Sequence, residues 1–112
     1  MAERLYKPLL IDTLKAAVNI EKQRFIGFDG NYCGANAKAY GVSDVEIEAE
    51  QYAPVALFGI LLVKTAGAIT AGTRVASDAN GYAVAYSTGE SNGYALDTAV
   101  GAGEIIRIIR GI

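Results

Sequence analysis

The chain has 112 residues, with 10 basic and 12 acidic side chains and no histidine. A net charge of −2 and a pI near 5.0 give no global reason to bind nucleic acid, and the missing histidine excludes a Ser-His-Asp triad, a His-bearing metal site and imidazole chemistry near neutral pH. The single cysteine, Cys33, excludes an intramolecular disulfide and a four-cysteine zinc site.

The amino end is basic. Residues 1–24 carry Arg4, Lys7, Lys15, Lys22 and Arg24 against Glu3, Asp12 and Glu21. Residues 1–8 read as an extended arm ahead of a single domain over 9–112. The mixed charge of this start is unlike a secretory signal, and no apolar run reaches the ~18 residues of a membrane-spanning helix. The expected site of synthesis is a reducing cytoplasm. Leu5, Leu9, Leu10, Leu14 and Val18 fall at helical spacing, but Pro8 interrupts the pattern. Phe25-Ile26 is a short apolar run closed by the turn signal Asp29-Gly30. Ser43-Asp44-Val45-Glu46 matches a helical capping box. Against that, Asp44, Glu46, Glu48 and Glu50 alternate with Val45, Ile47 and Ala49, which is strand period with a wet acidic face. Val55–Phe58 and Ile60–Val63 flank Gly59 and read as strands. Asn80-Gly81, Asn92-Gly93 and Gly101-Ala102-Gly103 read as turns, and Ile105-Ile106 with Ile108-Ile109 closes the order as a last strand.

A weak internal repeat arbitrates at the amino end. Leu14–Ile20 precedes Val63–Ile69 by 49 residues, and Phe25–Asp29 precedes Arg74–Asp78 by the same spacing. Gly41-Val42 precedes Gly93-Tyr94 by 52, as Gly59-Ile60 precedes Gly111-Ile112. Two degenerate repeats, about 9–60 and 61–112, therefore make one small all-β barrel or sandwich, and the segment around Ile11–Lys15 takes the strand form of its counterpart.

The chemistry is sparse. Four acidic side chains in a row without basic or apolar cover read as a solvated face. Cys33 has no nearby base and reads as a small buried hydrophobe. Gly67 and Gly72 have P-loop spacing, but Thr73-Arg74 follows in place of Lys-Ser/Thr, and Gly101-Ala102-Gly103 lacks the third glycine of a dinucleotide fingerprint. Arg107 and Arg110 read as ordinary strand-surface arginines facing opposite sides. No catalytic, cofactor or metal residue is expected. A ligand-binding module or accessory enzyme subunit would have to use Asp29, Asp78 and Arg74, which occupy repeat-equivalent or turn positions.

Lys7-Pro8-Leu9-Leu10, Arg24–Gly30 and Gly41–Asp44, followed by Val63–Asp78, Asn92–Asp97 and Gly101–Ile108, resemble the capsid decoration (cement) proteins of tailed bacteriophages. The resemblance spans roughly 7–110. Glu48-Ala49-Glu50 departs from the Ala-Gly-Glu turn of that pattern. The resemblance implies a non-enzymatic virion protein, made in the host cytoplasm, that binds the outer surface of the head and bridges major capsid subunits. It implies self-association as a homotrimer, with a dimer as the alternative, and no nucleic-acid or membrane partner. Within that role Arg4, Tyr6 and Lys7 of the arm are the expected capsid contacts.

Overall fold

The β-branched and aromatic runs, each bounded by Gly, Asn or Asp, become strands. The computed structural model describes residues 7–111. Among them are eight strands and no helix: β1 (Lys7–Lys15), β2 (Phe25–Ile26), β3 (Gly41–Ser43), β4 (Tyr52–Lys64), β5 (Val75–Ser77), β6 (Ala83–Ala85), β7 (Tyr94–Ala95) and β8 (Ile105–Arg110). The chain is all-β and antiparallel, with a six-stranded sheet beside the two-stranded β5–β6 ladder. The amino end is strand from Lys7 to Lys15. Lys7 and Pro8, assigned to the arm, already belong to β1, and Arg4 and Tyr6 lie outside the described residues.

β4 organises the sheet. It pairs with β1 from Tyr52 to Ile60, with β3 at Val55 and Ala56, and with β8 from Gly59 to Lys64. Gly59 takes φ +112°, and a Cβ there would lie 2.4 Å from the Lys7 carbonyl oxygen and 2.7 Å from the Leu9 nitrogen. Only glycine lets β1 approach so closely. The β1 register shifts on either side of Leu10, a bulge that turns successive side chains out of strict alternation.

Beyond Gly59, the odd residues Leu61 and Val63 of β4 are buried together with Ile106 and Ile108 of β8. They join Phe25, Val42, Ala56, Ile69 and Val75 in the main core. A second cluster forms under the first half, from Ala16, Ile20, Ile26, Ile47 and Ala53, with Leu14 and Tyr32 packed against it. Alanines fill much of the interior: Ala39, Ala76, Ala83, Ala95 and Ala99 are buried, and small side chains let short strands pack closely.

Some backbone features recur at separations of about fifty residues. The Ile20–Ile47 bridge has a counterpart in Ile69–Ala99. The Gln23 N–H donates to the Ser43 carbonyl at 2.8 Å, and the Gly72 N–H to the Ala95 carbonyl at 2.7 Å. Positive φ recurs at Gln23 and Gly72, Gly30 and Gly81, Asn36 and Gly89, and Glu50 and Gly103.

Two expectations are corrected. The acidic run is neither helix nor strand. Only Ile47 is paired, in its bridge to Ile20, so Val45 faces solvent while Ile47 is drawn into the second cluster. Arg110 is no surface arginine. It is buried on the inward face of β8, where its guanidinium donates to the carbonyls of Ala39, Tyr40 and Leu57.

Candidate interaction surface

The residues expected to carry chemistry are occupied by structure. Asp29 accepts from the Asn31 backbone N–H and side-chain amide, both at 3.1 Å. Those bonds hold its carboxyl below the usual range. Asp78 accepts from the N–H groups of Asn80 and Tyr82 at 2.8 and 2.9 Å. Both are turn residues whose side chains stand in for a backbone acceptor. Arg74 stacks over Tyr86 at 4.1 Å. Asp78 borders a depression with Lys64 and Tyr82, and Arg74 a separate one with Tyr86 and Tyr94. The Cys33 thiol is buried and donates to the Gly34 and Ala37 carbonyls. Burial raises its pKa and disfavours the reactive thiolate. Among the described residues no cluster of three or more His, Cys, Asp or Glu could hold a metal ion, and no helix is long and apolar enough to cross a membrane.

Lys7 alone of the expected contact residues is described, and it opens the most unusual surface. It faces Ile60 across the β1–β4 ladder. Together with Leu9, Gly59, Ile60, Ile109, Arg110 and Gly111 it lines a shallow groove between β1 and β8. Leu9 is 83 % exposed at the bulge, and Ile109 is 48 % exposed on the outward face of β8. Tyr94, 51 % exposed, is the cross-strand partner of Ile109. It carries the surface into an adjoining depression lined also by Lys38, Arg74 and Ser91. The free side of β1 continues the apolar character through half-exposed Leu10 and Ile11. Farther along, Asp12 accepts a short hydrogen bond from the Tyr40 hydroxyl, which lowers the Asp12 pKa and raises that of Tyr40.

Sequence reasoning chose Lys7 for its charge and missed the aliphatic residues beside it. A signal existed. Both parities of β4 and β8 are apolar, as Ile60 and Leu62 alternate with Leu61 and Val63, and Ile105 and Ile109 with Ile106 and Ile108. Strands covered on both faces read this way.

A family profile described as phage cement protein matches residues 7–110. No curated protein sequence matches the chain. The crystal structure of the head fiber gp8.5 N base of bacteriophage phi29 is similar over 91 % of this chain and 93 % of that one, with a TM-score of 0.75 at 18 % identity. That likeness establishes the shared fold.

Proposed function

The chain belongs to the phage cement protein family, and from that premise we propose that this structural virion protein binds the exterior of a phage head and bridges neighbouring major capsid subunits. The exposed apolar groove beside Lys7 is the observation that supports the reading: apolar area of this kind, rimmed by charge, is what a docking protein presents. Repetition over a shell supplies avidity that one modest contact lacks. The protein acts as a homotrimer, with a dimer as the alternative, and residues 1–8, with Arg4, Tyr6 and Lys7, contribute capsid contacts. It is synthesised in the bacterial host cytoplasm, carries no cofactor and acts without catalysis.

The test uses heads lacking the protein. Purified protein should co-sediment with them at a fixed ratio and add outer-surface density in cryo-electron micrographs. Absence of saturable binding would refute the role. Deleting residues 1–8 should weaken binding at least tenfold, and unchanged occupancy would remove the arm from the proposal.

A further inference from the structure

The groove has the anatomy of a protein interface, an apolar centre with a charged rim. Leu9, Ile109 and Tyr94, at 83 %, 48 % and 51 % exposure, present on the order of 350 Å² of side chain, the size of the largest patch on a typical monomer. Roughly 800 Å² per partner makes a stable interface, so this patch with its rim is of the right order. The rim is basic: Lys7 on the groove, Lys38 and Arg74 on the adjoining depression, and no Asp or Glu among the described residues lines either one. Lys38 reaches Glu90 at 3.8 Å and Arg74 lies over Tyr86, while Lys7 has no ion pair among the described residues.

The same chain carries the complement. Asp44, Glu46 and Glu48 have no ion pair among the described residues, and Val45 stands exposed between the first two. A face with a basic rim repels its own copy, so the favoured contact joins unlike surfaces. Contacts of that head-to-tail kind form a ring when the rotation between copies closes. A bare apolar patch beside the free side of β1 would also make a diffusing protein prone to aggregate, so cover from another copy before docking is favoured over cover first supplied by the shell.

We infer that the Lys7–Leu9–Ile109–Tyr94 surface of one copy receives the acidic 44–48 segment of a second copy of this chain. The inference rests on the self-association in the proposed function and names the surfaces that carry it.

The experiment is sedimentation-equilibrium mass measurement on the full chain. Wild type should be oligomeric at micromolar concentration. The Lys7→Glu/Lys38→Glu variant and the Glu46→Lys/Glu48→Lys variant should each dissociate at least tenfold more readily, more so at low salt than at high. The four-fold variant, with both charge sets exchanged, should regain the oligomer. Ile109→Asp should be monomeric, while Val100→Asp, at an exposed site away from the groove, should behave as wild type. Circular dichroism checks that each variant is folded. Monomeric wild type, an oligomer indifferent to Ile109→Asp, or failure of the four-fold variant to reassociate would each overturn the inference. Co-sedimentation with heads is scored separately: an oligomer that obeys this pattern but ignores heads would refute head binding and leave the self-contact standing.

Discussion

Replacing Arg24 should remove one of the main ties between the two halves of the chain. Arg24 is 5 % exposed, and its guanidinium lies between two rings, 4.3 Å from the centre of Tyr32 and 3.7 Å from that of Tyr82. Its Nε and Nη2 both donate to the Asn80 carbonyl, at 3.1 and 2.9 Å. The remaining fork nitrogen reaches the exposed Glu21 carboxylate at 2.5 Å, which adds little in water. Each ring contact is worth about 0.5–1 kcal/mol, and the charged donor pair about 1.5–3 kcal/mol. Arg24→Ala should therefore destabilise the protein by about 3–4 kcal/mol, a large share of the 5–15 kcal/mol typical of a domain. With a urea m-value of about 1.5 kcal/mol/M the midpoint falls by about 2 M. Arg24→Lys keeps the charge but loses the planar fork, and should fall between. A double-mutant cycle with Tyr82→Leu isolates the stacking, with an expected coupling of about 1 kcal/mol. A loss below about 1 kcal/mol for Arg24→Ala, or no coupling to Tyr82, would refute this account of how the halves are joined.

Gly59→Ala should destabilise by about 3 kcal/mol in urea unfolding and expose β1 to proteolysis, because a methyl group meets the Lys7 carbonyl at 2.4 Å on a backbone already at positive φ. Glu50→Gly should stabilise by about 0.5–1 kcal/mol, since Glu50 holds φ +71° and its ion pair to Lys15 at 3.3 Å is exposed on both sides. Burial lowers the Arg110 pKa to about 10. Above about pH 10 the unfolded chain binds more protons than the folded one, so this group's contribution favours folding more as pH rises from there toward the usual arginine range. The stability difference between wild type and Arg110→Met, measured by urea unfolding at pH 9 and pH 11, should shift toward wild type at the higher pH.

Strands were legible where local pattern and tertiary role agree. Val55–Val63 reads as strand from its own residues, and β1 reads as strand only through its counterpart 49 residues on, since its leucines also fit a helix. The acidic run misled because alternation was read as pairing. The pull of Ile47 into a cluster with Ile20 fixes one residue and leaves its neighbours in turns. Glu50 and Gly103 both take positive φ, a backbone requirement that the glutamate side chain hides in the sequence. The Arg24 sandwich was not legible, because Tyr32 and Tyr82 meet only after the halves pack. Nor was Arg110, whose three backbone acceptors lie 53 to 71 residues away. Of the residues along the groove and its adjoining depression, Lys7 drew notice by its charge, whereas Leu9, Ile109 and Tyr94 were hidden by the bulge in β1 and by the registers of β1 on β4 and of β7 on β8.

The thirteen residues of β4 run unbroken past β1, β3 and β8, and this continuity has a mechanical meaning. Tension along that strand is resisted by ladder hydrogen bonds pulled sideways and together, instead of peeled apart singly from one end. A molecule strained along this axis should yield late and abruptly, and one strained across it early and by degrees. Single-molecule pulling between cysteines placed at the two ends of β4, compared with pulling across the β1–β4 ladder, would measure that anisotropy.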